Sequence, residues 1–186
     1  LVKEKGSSRI IGLILLNDGS VIASDDQHLF RFDPLIRKLI PFELKDQDGK
    51  PVINVGRNLI DRRGHVYISS HNNGFYIWKP AENRVFHYNK TVVDPLADLE
   101  KDNLLYPCLA DSRDHIWFTS STGVYEYLPG QQKWNHYNAE GIDDLPAMTQ
   151  TTYIAEDRQG HIWVTTQNNG LYEIYTEHGK KQIRNF

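Results

Sequence analysis

One phrase recurs four times along the chain, and that recurrence restricts the fold more than any single residue does. Its clearest copy is "EDRQGHIWVTTQNNGLYEIY", from Glu156 to Tyr175. "IDRRGHVYISSHNNGFYIWKP" repeats it from Ile60, "ADSRDHIWFTSSTGVYEYLP" from Ala110, and "LLNDGSVIASDDQHLFRFDP", a worn version, from Leu15. Anchored on Gly19, Gly64, Asp114 and Gly160, the copies are 45, 50 and 46 residues apart. A repeat of about 40–50 residues with several strands per unit is the spacing of propeller blades.

The second unit shows how one blade is written. "VINVGRNLID" is a mostly apolar run, and Arg62-Arg63-Gly64 is a polar turn. "HVYISS" alternates, with Val66 and Ile68 on one side and Tyr67 and Ser69 on the other. Such alternation predicts a half-buried strand. His71-Asn72-Asn73-Gly74 closes a hairpin, because Asn and Gly accept the positive φ of tight turns. "FYIWK" is a third strand, ended by Pro80, and "RVFHYN" a more polar fourth. Pro34 and Pro129 repeat that stop in the first and third units, where no ladder donor is needed; Thr176 stands there in the last. Tyr67, Trp117 and Trp163 share one register, held by Ile22 in the first unit, and large aromatics there predict packing between neighbouring blades. No segment carries a helical period. The expected fold is all-β: four four-stranded antiparallel repeats in a single propeller segment over 1–186, with blades at about 10–43, 52–89, 103–138 and 150–186.

Composition narrows the function classes. A net charge of −3 with dispersed Lys and Arg offers nothing to nucleic acid. A lone cysteine, Cys108, leaves neither a disulfide nor a zinc site a partner. No apolar run is long enough to enter a membrane as a spanning helix, and the opening "LVKEKGSSR" has no signal-peptide core and reads as an internal stretch. Gly-x-Ser-x-Gly and His-Glu-x-x-His are both missing, so no catalytic constellation is expected; the alternative enzyme reading, a propeller lyase or lactonase, rests only on similar Gly-x-Ile-Trp strands. His65, His115 and His161 follow the turn in successive units, so they should ring the propeller rather than converge on a metal. His87-Tyr88-Asn89 and His136-Tyr137-Asn138 repeat in the outer strand and read the same way. Asp46-Gln47-Asp48-Gly49 faintly resembles a calcium loop, but the later bidentate Glu is missing. No cofactor and no metal is expected.

The run from Glu156 to Tyr175 resembles the two-component regulator propeller repeat. Asp61, Asp111 and Asp157 match its acid, Gly64 and Gly160 its glycine, Trp117 and Trp163 its tryptophan. Gly74-Phe75-Tyr76 and Gly170-Leu171-Tyr172 match its Gly-Leu-Tyr, and "DLEKDNLL" its usual lead-in. The first unit departs, with Leu16, Ile22 and His28 at the Asp, Trp and Gly positions. The resemblance implies a periplasmic sensor segment of a hybrid two-component regulator of Bacteroidetes, part of an inner-membrane receptor that senses oligosaccharides from polysaccharide breakdown. Its partners would be the remaining blades and the signalling domains, including a histidine kinase; the alternative is a non-catalytic scaffold for protein interaction or receptor dimerisation. Family propellers close with seven blades. Four blades either close on themselves or leave open edges that a second copy covers as a homodimer, and the second is favoured.

For a sugar ligand, the loops between second and third strands and the inter-blade connections share the expected ligand face. His71, Asn72, Asn73, Gln167, Asn168 and Asn169 would offer imidazole and amide hydrogen bonds there, with Asp25, Asp26 and Gln27 in the first unit, although Asn-Asn-Gly also serves as turn chemistry alone. Tyr106 and Tyr153, at first-strand entries, would supply aromatic platforms. The connections are acidic, carrying Glu43, Asp46 and Asp48, then Asp94, Asp98, Glu100 and Asp102, then Glu140, Asp143 and Asp144. Such a rim is expected to disfavour sulfated or uronic-acid glycans, an expectation that tight binding of a sulfated oligosaccharide would overturn.

Overall fold

The computed structural model describes residues 9–25, 27–53, 55–71, 74–88, 105–142 and 144–186. Among these residues, sixteen strands form four separate sheets, each antiparallel and in sequence order. The first holds β1 (Gly12–Leu15), β2 (Val21–Ser24), β3 (Leu29–Asp33) and β4 (Lys38–Phe42). The second holds β5 (Val55–Ile60), β6 (Val66–Ser70), β7 (Phe75–Lys79) and β8 (Arg84–Tyr88). The third holds β9 (Tyr106–Ala110), β10 (Ile116–Thr119), β11 (Val124–Leu128) and β12 (Lys133–Tyr137). The fourth holds β13 (Thr151–Glu156), β14 (Ile162–Thr166), β15 (Leu171–Glu177) and β16 (Lys180–Asn185). The first strand of each sheet packs beside the first strand of the next, so β1, β5, β9 and β13 form the inner row from which the sheets radiate.

A carboxylate builds the turn between the first two strands of each later sheet. Asp61 Oδ1 accepts the backbone N–H groups of Arg63 and His65, both at 2.9 Å. Asp111 does the same for Arg113 and His115, and Asp157 for Gln159 and His161. The second oxygen receives the aromatic of the seam: Tyr67 OH at 3.3 Å, Trp117 Nε1 at 3.0 Å and Trp163 Nε1 at 2.9 Å. The repeated Asp, Gly and Trp are therefore one unit, in which the acid holds both the turn and the indole. The Trp163 hydrogen bond keeps the Asp157 carboxyl below the usual carboxylate range, while burial and the neighbouring Asp61 charge push the Tyr67 phenol up. In the first sheet Leu16 occupies the Asp place; Gly19 N–H still bonds Leu16 O at 2.9 Å, so the backbone turn survives without the carboxylate.

Three apolar seams join the sheets. Ile14, Ile22 and Leu29 meet Val66, Ile68, Tyr76 and Trp78. Tyr67, Phe75 and Ile77 meet Ile116, Phe118, Tyr125 and Trp134. Trp117 and Val124 meet Ile154, Ile162, Val164 and Tyr172. The strand around Tyr67 thus differs from the half-buried expectation: it alternates, but every residue from Val66 to Ser70 is buried, because a blade stands on each side.

Seams are unfilled at the two ends. In the first sheet Leu13, Val21, Phe30, Phe32 and Leu39 share one face by their cross-strand pairing. The residues in register with Phe32 and Leu39 are the buried Trp78 and Val85 and the buried Tyr127 and Trp134. Here Leu13 is 70% and Leu15 64% exposed, and Phe32 and Leu39 are also exposed. At the other end Trp163 is only half-buried, whereas Tyr67 and Trp117 at the same register are 1% and 0% exposed. Both end faces are open, so the four sheets form an arc and not a closed four-bladed ring.

Candidate functional site

The inner strands and the loops entering them frame a cleft at the central face. Tyr106, first residue of β9, lines two adjoining cavities of about 420 and 250 Å³, and Arg57 lines both with it. The first cavity is completed by Arg9, Ile10, Ile11, Gly56 and His71, the second by Thr119, Ser120, Ser121, Gln150, Thr151, Thr152 and Gln167. Local geometry explains the convergence. The β5–β6 register shifts between Val55 and Asn58, and Arg57 lies in that irregularity. Its guanidinium carbon stands 5.3 Å from the Tyr106 ring centroid, a cation–π arrangement. His71 meets the same ring edge-on, with centroids 6.3 Å apart. Gly56 leaves room for Ser69: a Cβ there would overlap the Ser69 hydroxyl, while it would make only an ordinary contact with the Tyr106 ring, at 3.5 Å. The far wall is fixed by Thr151, whose hydroxyl accepts the Ser120 N–H at 2.9 Å, and by the Gln167 N–H bonding Gln150 O at 3.1 Å.

Of the sequence candidates, His71, Tyr106 and Gln167 line this cleft. Asn168 is exposed in its hairpin. Asn169 is engaged by the fold: its Nδ2 donates to Ala147 O at 2.7 Å and its N–H to Thr166 Oγ1 at 3.0 Å. Asp25 is buried, its Oδ1 accepting the N–H groups of Gln27 and His28 at 2.8 and 2.6 Å; with Gln27 it borders a different cavity of about 860 Å³, beside Leu44 and Val52. Tyr153 pairs with Thr165 as Tyr106 pairs with Thr119, but it lies on the open face of the fourth sheet, 63% exposed. It holds the platform register without a following blade to make a cleft. Asp26, Asn72 and Asn73 lie outside the described residues. Arg57, Gln150 and Thr152 were not among the candidates; the available signal for Arg57 was a single cation inside the apolar run Val52–Asp61.

The recurring histidines stay with their own turns. Nδ1 of His65, His115 and His161 lies 3.3, 3.4 and 3.7 Å from the aspartate of the same turn. Asp111, His115 and Glu126 bring three donor atoms within 4.8 Å of one another. Those atoms are already used: His115 Nδ1 is 2.8 Å from Glu126 Oε1, and Asn135 and Tyr137 both donate to Glu126 Oε2 at 2.8 Å. That cluster is a hydrogen-bonded buckle across the third sheet. His87 and His136 stack on Tyr76 and Tyr125, at 4.3 and 4.2 Å between centroids. Asp46 in the connection from β4 to β5 accepts the N–H groups of Asp48 and Lys50, each at 2.9 Å, and so forms the same carboxylate-held turn as Asp61. Among the described residues, no helix is long and apolar enough to cross a membrane.

Four radiating antiparallel sheets with an inner row and a central-face cleft define this chain as a stretch of β-propeller. Residues 144–168 match the family described as two component regulator propeller. Similar solved structures agree on the fold. The extracellular domain assigned to the hybrid two component system BT3049 from B. thetaiotaomicron superposes with a TM-score of 0.73 at 14% identity, over 97% of this chain and 25% of that one. The corresponding domain of BT4673 from the same organism gives 0.68 at 16% identity, over 96% of this chain and 24% of that one. Virginiamycin B lyase from Staphylococcus aureus gives 0.64 at 18% identity, over 96% of this chain and 56% of that one. The chain thus spans about a quarter of the two receptor domains. No curated protein matches it by sequence.

Proposed function

We propose that this chain is a sensing segment of the extracytoplasmic propeller of a hybrid two-component receptor, and that the cleft around Tyr106 holds an oligosaccharide in the periplasm. The observation that carries the reading is the Tyr106 ring, set as the shared wall of two cavities, one bordered by Arg9, Arg57 and His71 and the other rich in hydroxyl and amide groups. An aromatic face with convergent polar groups suits a sugar, whose C–H faces stack and whose hydroxyls both donate and accept. Binding without chemistry is the natural use of such a cleft: among the described residues lining it, no carboxylate stands ready to orient His71 as a base. The four blades are one continuous segment whose end faces take further blades of the same kind. The signalling domains, a histidine kinase among them, belong to the rest of the receptor.

An NMR titration of the labelled chain with a panel of plant and host oligosaccharides tests this reading. Shifts should gather at Tyr106, His71, Gln150 and Gln167, and Tyr106→Ala should weaken binding about tenfold or more, equivalent to about 1.4 kcal/mol. Shifts confined to the end faces, or no binding by any oligosaccharide, would remove the cleft from consideration.

A second reading, a scaffold that associates through its propeller, is favoured by the apolar face of the first sheet around Leu13, Leu15 and Phe32. It places the partner at the end face and leaves the cleft without a ligand.

A further inference from the structure

From the charge lining the cleft we infer that its ligand is an anionic saccharide, an oxyanion of which is held by Arg57. The inference rests on the reading of the cleft as a saccharide site. Among the described residues, Arg57 is the one side chain besides Tyr106 that borders both cavities. Arg57 is an exposed residue whose guanidinium lies over the tyrosine ring, and among the described residues it has no carboxylate partner within ion-pair distance. Arg9 borders the same cavity as His71, and no Asp or Glu among the described residues lines either cavity. A guanidinium parked on an aromatic face keeps its outward N–H groups available, and the planar fork matches a carboxylate with two parallel hydrogen bonds. A saccharide seated in the cleft would bring a carboxylate or sulfate to that fork. Gln150 and Gln167 would remain for the neutral hydroxyls.

This reverses the expectation drawn from the acidic connections. Asp46 is buried in its own turn, Glu140 accepts from Asn138 at 2.9 Å, and Glu43 borders the cavity beside Asp25. Asp94, Asp98, Glu100, Asp102 and Asp143 lie outside the described residues.

Calorimetric titration of the 186-residue chain with a short oligogalacturonide, with its carboxyl-reduced neutral counterpart, and with a sulfated disaccharide tests the inference. The expected result is a preference of about tenfold or more for the acidic oligomer over its reduced form, shrinking as salt is raised. Arg57→Gln should abolish that preference, and Arg57→Lys should keep part of it. Arg57 is exposed, so neither substitution should alter the melting temperature. An Arg57-dependent preference for the sulfated sugar instead would support the inference with sulfate as the oxyanion. Equal affinity for acidic and neutral oligomers, or a preference that survives Arg57→Gln, would overturn it and leave the saccharide site standing. Binding of none of the three would overturn both.

Discussion

Trp117→Ala is expected to lower the unfolding free energy by about 3–5 kcal/mol, whereas Trp163→Ala should cost clearly less. The two indoles occupy one register of the repeat and each donates to the aspartate of its own turn, at 3.0 and 2.9 Å. They differ in what stands beyond them. Trp117 is sealed between the third and fourth sheets, stacked on Tyr137 at 5.6 Å and packed in the cluster with Ile154, Val164 and Tyr172. Trp163 lies against Phe186, with ring centroids 5.7 Å apart, on a face that none of the described sheets covers. Truncating the first opens a cavity that rigid strands on both sides cannot collapse; truncating the second removes a half-solvated ring. Chemical denaturation of the two variants measures the difference. Equal losses would mean that Trp163 is as enclosed as Trp117.

Asp111→Ala should be comparably severe, at about 3–5 kcal/mol, the cost of removing one partner from a buried charged network. The carboxylate accepts two backbone N–H groups and the Trp117 indole, and Arg113 Nη2 lies 3.5 Å away. All of these lose their acceptor at once, and a buried donor left unpaired costs more than its hydrogen bond contributed. Asp111→Asn should recover part of the loss, since an amide oxygen can still accept the N–H groups of the turn. Because Asp111 and Trp117 share a hydrogen bond, the double variant should lose less than the sum of the singles. Full additivity in denaturation would show that the acid and the indole act separately.

The repeat made the architecture legible. Strand order, turn acid and seam aromatic all recur at fixed offsets, and each has a local physical cause: a carboxylate that caps its own turn, a glycine at positive φ, an aromatic facing the next blade. What lay beyond reach depends on neighbours that are distant in sequence. Tyr106 and Tyr153 read alike as first-strand aromatics, yet one has a following blade and forms a cleft while the other faces solvent. Asp25 reads as a loop acid free to meet a ligand, but two N–H groups of its own hairpin claim it. Arg57 reaches the cleft because β5 is irregular between Val55 and Asn58, and a local irregularity in pairing leaves little mark on composition. Whether four blades close depends on how the sheets fan, which no periodicity specifies; the exposed faces around Leu13 and Tyr153 answer it.

A propeller blade with one bare apolar side seeks another blade. Light scattering of the isolated 21.6 kDa chain over a range of concentrations tests this most directly. The expected mass lies above that of the monomer, rises with concentration as the first sheet of one copy covers the fourth sheet of another, and returns to the monomer mass on Leu13→Glu with Leu15→Glu. A monomer at every concentration would contradict it.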